Sequence, residues 1–253
     1  MQLSDAPSPD ALLELFVDVG HAVRRAVSGI DTTELRRRTD RDGQYALDLV
    51  ADAEACRVLQ RAPVRIVSEE SGVHEREGAT ITVVLDPVDG STNCSRGIPY
   101  WATSICALDG DGALAGLVVN QATGVRVTAV RGEGAFRDGV RLRSSATTRI
   151  EDAIVYLTGL PASSLPWKQF RSLGSAALGL CEIAGGALDG LLDAYGFHAP
   201  WDYLAGYLAC VEAGAVVRDA HGRTLVTDDP DARRQLVAAG TAELAGVLAG
   251  GLS

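Results

Sequence analysis

Three acidic segments of this chain are placed for metal chemistry. The central one is Leu85-Asp86-Pro87-Val88-Asp89-Gly90-Ser91-Thr92-Asn93. Proline fixes φ at the start of the bend and glycine frees the backbone at its exit, so Asp86 and Asp89 sit on a rigid turn. Taken alone, the stretch also reads as a surface turn with Asp89 capping a helix. Ser68-Glu69-Glu70-Ser71 brings further acids, and Trp201-Asp202-Tyr203-Leu204-Ala205-Gly206 brings another. Asp202 by itself would be an ordinary first-turn acid favoured by the helix dipole. Carboxylates grouped in one cleft, however, repel one another unless protonated or bound to cations. Hard oxygen ligands of this kind select Mg2+, Mn2+ or Ca2+, and metal-bridged acids are a common device for transferring a phosphoryl group to water.

The elements that must position these acids follow from periodicity. Ser8-Pro9-Asp10 starts a helix, and Leu12, Phe16, Val19, Val23 and Val27 recur at helical spacing as far as Gly29. Residues 30–44 are charged, with Arg36-Arg37-Arg38 followed by Asp40, Arg41, Asp42 and Gly43. They read as a solvated loop in preference to a phosphate contact. Asp48 to Leu59 is helical, with Leu49, Ala53, Cys56 and Leu59 on one face. Val64 to Ser68 is a strand that delivers Glu69, and Ala79 to Leu85 is a strand that ends at Asp86. Parallel pairing of the two would place Glu69 beside Asp86. From Tyr100 onward, short strands and glycine turns continue the pattern, so the first half is expected to be an antiparallel sheet of about six strands. From about residue 148, strands at 153–157, 188–192, 215–218 and 235–239 are interspersed with helices at 174–185 and 201–214, and Thr241 caps a last helix. The expected class is therefore α+β / α/β. Residues 1–147 form an antiparallel half that carries most of the acids, residues 148–253 form a mixed half, and the two pack as one unit.

Composition narrows the function. The chain has 253 residues, 47% of them hydrophobic, which is enough for a large core. A net charge of −10 disfavours nucleic acid and anionic membranes as partners. It would also repel an anionic substrate unless bound cations reverse the sign locally. Cys56, Cys94, Cys106, Cys181 and Cys210 are scattered without CxxC spacing and read as buried thiols of a reducing, cytoplasmic compartment. The polar start, with Asp5 and Asp10, carries no signal-peptide pattern, and no apolar run is long enough for a membrane span.

The three acidic segments resemble, in order, the three signatures of the inositol monophosphatase family. Gly132-Glu133-Gly134-Ala135-Phe136, Arg171-Ser172-Leu173-Gly174-Ser175-Ala176-Ala177 and Glu212-Ala213-Gly214 are similar to its supporting blocks, over about residues 45–220. The resemblance implies a layered αβαβα fold and a Mg2+-dependent, lithium-sensitive phosphatase that attacks a sugar or cyclitol monophosphate with a metal-activated water. Mn2+ is the expected substitute ion and a homodimer the expected assembly. By position, Glu69, Asp86 and the Val88 carbonyl would hold one Mg2+, and Asp86, Asp89 and Asp202 a second. Asp52 would lie near an optional third. Glu69, with Ser91, would orient the attacking water. The Gly90 and Ser91 amides would hold the phosphate. Gly174, Ser175 and Ala176 would face the substrate's alcohol part, and Asp193 would contact a ring hydroxyl.

The chain departs from the family pattern in four places. The interval from Asp52 to Glu69 is short, Arg36–Arg38 stand in a loop that commonly carries lysine, and the segment between Leu157 and Arg171 is short. Ser91 replaces a common threonine and keeps the hydroxyl. His198 is expected to be packed, since oxygen-ligated Mg2+ sites seldom use imidazole. Cys94 is expected to be a buried small residue, and Glu70 a supporting or solvated acid. Inositol monophosphate is the default substrate. Fructose 1,6-bisphosphate, histidinol phosphate and 3′-phosphoadenosine nucleotides are the alternatives, as is a non-catalytic metal-binding regulator. A bisphosphate would require a second basic pocket.

Overall fold

The computed structural model describes residues 6–41 and 43–252, so Asp5 and Asp42 lie outside the described residues. Helix α1 (Pro9–Ser28) starts as its sequence predicts, with the Ser8 hydroxyl accepting the Ala11 amide at 3.3 Å. Helix α2 (Ala46–Leu59) starts two residues earlier than periodicity suggests. The reason is Asp48, whose Oδ2 reaches back to accept the Tyr45 amide at 2.8 Å and so caps the first turn.

The first sheet contains β1 (Arg65–Ser68), β2 (Gly72–His74), β3 (Thr82–Asp89), β4 (Ala102–Asp109), β5 (Gly112–Asn120), β6 (Arg126–Val130), β7 (Gly134–Arg137) and β8 (Val140–Arg141). Their spatial order is β2-β1-β3-β4-β5-β6-β7-β8, eight strands where the sequence suggested six. The two extra strands, β2 and β7, are short and lack apolar alternation over a readable length. β1 and β3 pair in parallel and the remaining neighbours antiparallel. The second sheet contains β9 (Ile154–Thr158), β10 (Gln169–Arg171), β11 (Gly190–Asp193), β12 (Val216–Asp219) and β13 (Leu236–Ala239), in the order β10-β9-β11-β13-β12. It is mixed, as expected: β9 runs parallel to β10 and β11, and β13 antiparallel to β11 and β12.

Burial defines the layers. The apolar stripe of α1 (Leu12, Phe16, Val19, Val23) and the inner face of α2 cover one side of the first sheet at Val83, Leu85 and Leu117. Helices α4 (Ala176–Ala184) and α5 (Pro200–Glu212) lie between the sheets. There Leu180, Leu204 and Leu208 join Val84 and Val118 of the first sheet to Leu191 and Ala238 of the second. Helix α6 (Ala242–Gly250), capped by the Thr241 hydroxyl, lays Leu244 and Leu248 on the outer side of the second sheet. The result is the expected layered αβαβα sandwich. Each fully buried Leu in it contributes about 1.5–3 kcal/mol of burial energy, so both inner faces are strongly specified.

One detail of β3 shapes the site. The strand does not end at Leu85 but continues to Asp89 with an irregularity: Asp86 pairs with Ser104 and Asp89 with Ala102. Pro87 and Val88 thus oppose the single residue Thr103, which is a β-bulge. Beyond it Gly90 turns left-handed, with φ +92°, into the short helix α3 (Ser91–Arg96). A Cβ there would lie 2.8 Å from the Gly174 carbonyl oxygen, so the position needs glycine both for its φ and for the close chain crossing.

Candidate active site

The parallel register of β1 and β3 pairs Ser68 with Leu85, and the Glu69 amide donates to the Leu85 carbonyl at 3.1 Å. Glu69, just past the end of β1, and Asp86, at the bulge within β3, therefore lie side by side, as sequence reasoning expected. Asp202 arrives from the first turn of α5, where its Oδ2 accepts the Ala199 amide at 2.7 Å. Carboxylate oxygens of Glu69, Asp86 and Asp202 lie within 4.8 Å of one another. Asp89 completes the wall. Its Oδ2 accepts the Ser175 hydroxyl at 2.6 Å and the Ala177 amide at 2.8 Å. Asp89 does bond to a helix terminus, but that of α4, so it ties the two halves of the chain together at the site.

The electrostatics are those of a cation site. Burial, followed by repulsion from Asp202, raises the pKa of Glu69 well above the usual carboxylate range. Burial and the Glu69 charge do the same to Asp86. Burial pushes Asp89 up to about 6 against the opposing Ser175 hydrogen bond. Asp202 is also raised by burial, although the charge of His198 and the Ala199 amide oppose the shift. Arg41 lines the same cleft but directs its guanidinium to the Glu69 carbonyl oxygen at 3.1 Å and the Glu70 carboxylate at 3.5 Å. Glu70 in turn accepts from Gln44. The acids gathered here are thus an all-oxygen donor set left to repel itself, in a cleft of about 190 Å3 that Val88, Gly90 and Ser91 also line. Such a set fits hard divalent ions.

A second cavity, of about 300 Å3, shares Asp89 and Asp202 with this cleft. Gly174, Ser175 and Ala176 line it, together with Tyr156, Thr158 and His198. The loop is held from both sides. The Tyr156 hydroxyl donates to the Ser175 carbonyl at 2.8 Å, and Asn93 Nδ2 donates to the Leu173 and Tyr100 carbonyls at 2.7 Å each.

Two positions correct the sequence expectation. Asp193 does not face the cavity. It is fully buried, and its oxygens accept the Tyr195, Gly196 and Leu236 amides and His198 Nδ1, the last at 2.9 Å. A carboxylate at the end of an apolar strand is here used to fold the next turn, and His198 lines the cavity in its place. Burial opposes charging of that imidazole, yet the Asp193 hydrogen bond holds its pKa above the ordinary value. Asp52 likewise does not line the cleft; it is buried and accepts from the Ser68 hydroxyl. Asp48, one helical turn earlier, lines the cleft with a buried, unpartnered Oδ1, and burial pushes its pKa up to about 7. Its capping role toward Tyr45 was the sequence signal that could have singled it out.

The remaining expectations hold in form. Among Arg36–Arg38, Arg36 donates to the Ser95 carbonyl at 3.4 Å, Arg37 pairs with Glu34, and Arg38 stacks on Tyr45, so none of them lines the cleft. Cys94 is buried and its thiol is pushed up to about 12 by burial, which makes it unreactive. His198 is packed, 8% exposed.

A layered sandwich that gathers unpaired acids at strand and helix ends beside a hydroxyl-lined cavity defines a metal-dependent phosphatase. The comparisons agree. A sequence profile of the inositol monophosphatase family matches residues 10–251, and the chain belongs to that family. It is 34% identical over 234 residues to the fructose-1,6-bisphosphatase/inositol-1-monophosphatase of Archaeoglobus fulgidus, covering 88% of this chain and 90% of that one. It is 30% identical over 220 residues to Nus factor SuhB of Salmonella typhimurium, covering 80% and 81%. In fold it superimposes, with a TM-score of 0.88 and 23% identity, on a Pyrococcus horikoshii protein described as similar to inositol-1 monophosphatase, covering 97% of this chain and 100% of the other. The protein is accordingly a phosphoric monoester hydrolase. Among the described residues no helix is long and apolar enough to cross a membrane.

Proposed function

We propose that the chain is a Mg2+-dependent phosphatase of a polyol or sugar monophosphate, with inositol monophosphate as its default substrate. One observation carries the choice of a monophosphate. The cavity beside the acids is lined by Tyr156, Thr158, Ser172, Ser175 and His198, with no arginine or lysine among its described lining residues. Hydroxyls and an imidazole suit a polyol. A second phosphate, as in fructose 1,6-bisphosphate, needs a basic cradle.

In this proposal Glu69, Asp86, the Val88 carbonyl, Asp89 and Asp202 hold the divalent ions, and Asp48 stands where a further ion would add charge. Divalent ions held there would supply positive charge to acidify water and neutralise the phosphoryl oxygens. The chain's own groups do the rest. Glu69, with Ser91, orients the attacking water. The Gly90 and Ser91 amides donate to the phosphate. The loop at Gly174–Ala176 and His198 orient the alcohol, so the ester oxygen is turned toward the acids and the departing polyol exits through the second cavity. Li+ is the expected inhibitor, a homodimer the expected assembly and the cytoplasm the expected compartment. A phosphate-release screen with Mg2+ over inositol, sugar, histidinol and nucleotide phosphates tests the proposal. Turnover should be highest on a cyclitol or sugar monophosphate. Preference for a bisphosphate would overturn the substrate assignment.

A further inference from the structure

The bulge that carries Asp86 and Asp89 creates a problem that the chain must solve. Pro87 has no amide hydrogen, and it is buried where the register of the β3–β4 ladder shifts. A buried carbonyl without a donor is costly, and this one lies between two of the acids. The Thr103 hydroxyl, on the single residue facing the bulge, donates to it at 2.8 Å. Thr103 has no exposed surface. Gln121 Nε2 in turn donates to the Thr103 oxygen at 2.8 Å and to the Gly20 carbonyl of α1 at 2.9 Å. Because Gln121 occupies the Thr103 oxygen as an acceptor, the one hydroxyl proton is directed at Pro87. The next residue of β4 points to the other side of the sheet. There Ser104, also buried, donates its hydroxyl to the Trp201 carbonyl at 3.0 Å, one residue before Asp202. Adjacent hydroxyls on one strand thus grip two of the three chain segments that carry the acids, from opposite faces of the sheet.

We propose that Thr103 and Ser104 are positioning residues of the metal site, with Gln121 setting the direction of the Thr103 hydroxyl. Neither hydroxyl touches an acid. Thr103 fixes the turn that sets the spacing of Asp86, Val88 and Asp89. Ser104 fixes the start of α5, and so the distance of Asp202 from that turn. Strand β4 is the common ruler, which is why two residues so far apart in sequence as Pro87 and Trp201 can hold one geometry. Hydrogen-bonded groups behind metal ligands typically change metal affinity about 10–100-fold when removed.

This inference rests on the metal-site proposal, and its test separates the two. Mn2+ binding to the whole chain, without substrate, is read by electron paramagnetic resonance of the free ion for wild type, Thr103→Val, Thr103→Ser, Ser104→Ala and Gln121→Leu. Thermal melts in EDTA run alongside. Thr103→Val, which keeps the shape and removes the hydroxyl, should weaken Mn2+ about 10-fold or more. Ser104→Ala should do likewise, and Gln121→Leu should weaken it less because the hydroxyl is still present. Thr103→Ser should restore affinity to within about threefold of wild type, since a hydroxyl alone is what the Pro87 carbonyl requires. Should Thr103→Val fail to fold, Ser104→Ala and Gln121→Leu carry the same expectation. Wild-type affinity in the folded variants, with melting in EDTA lowered, would overturn the proposal and leave these residues a purely structural role. So would a Thr103→Ser protein as weak as Thr103→Val. A wild-type chain that binds no Mn2+ would instead remove the metal-site proposal itself.

Discussion

Removing divalent ions should make this protein less stable as the pH rises toward neutrality, and the size of the effect can be worked from Asp89. Its pKa is 3.8 in an ordinary setting and is pushed up to about 6 in the folded chain, chiefly by burial. A carboxyl group raised on folding holds its proton more tightly in the native state. Its stabilising contribution is complete below the unfolded value and is lost as the pH rises through the folded one. For Asp89 that window runs from about 4 to about 6, and the shift corresponds to roughly 3 kcal/mol. In a chain of this length that is a fall of roughly 6–12 °C in Tm. Glu69, Asp86 and Asp202 shift in the same direction, and Asp48 extends the window to about 7. Melting curves in EDTA across this range should show the decline, and the same series with Mg2+ should reduce it. His198, whose pKa is also raised, adds a slope of the same sign, so Asp89→Asn is the control that isolates the acid. A flat or rising Tm in EDTA, or a Tm indifferent to Mg2+, would refute the claim that these acids form a cation site.

Other outcomes follow from single residues. Glu69→Gln and Asp202→Asn should each reduce phosphate release more than about 100-fold while the EDTA-form Tm rises, because a repelling charge is lost. Equal activity would remove those residues from the machinery. Gly90→Ala should destabilise by about 2 kcal/mol or more in chemical denaturation, from its left-handed φ and the 2.8 Å approach to the Gly174 carbonyl oxygen. His198→Ala should raise KM for a polyol phosphate much more than for a small ester such as methyl phosphate, as steady-state kinetics would show. Cys94 should resist alkylation at neutral pH in the folded protein.

The chemistry was more legible in sequence than its support. Glu69 beside Asp86 followed from two apolar strands that each end in an acid, because parallel pairing fixes the ends together. Alternation of strands and helices gave the mixed α/β class, whereas the layered αβαβα order came from the family resemblance. By contrast, Asp48 and Asp52 sit one turn apart on α2, and only the cap at Tyr45 tells which of them looks into the cleft. Asp193 carried the right residue type in the right region, but its oxygens were claimed by backbone amides two and three residues on, and local turn bonding of that kind leaves no mark in composition. Thr103 and Ser104 look like ordinary strand residues, and their partners lie 16 and 97 positions away. The edge strand β10 has three exposed residues and no alternation to read.

The central claim is that the converging acids, loaded with Mg2+, support hydrolysis of a monophosphate ester whose alcohol rests in the cavity without arginine or lysine among its described lining residues. Its most direct test is phosphate release from inositol monophosphate as Mg2+ is titrated into EDTA-stripped protein, with fructose 1,6-bisphosphate measured in parallel. The account predicts no release without Mg2+, saturable release with it, and a kcat/KM for the monophosphate at least about 10-fold above that for the bisphosphate, the equivalent of about 1.4 kcal/mol in the transition state. Release that persists in EDTA, or none from any phosphate monoester with Mg2+ bound, would contradict it.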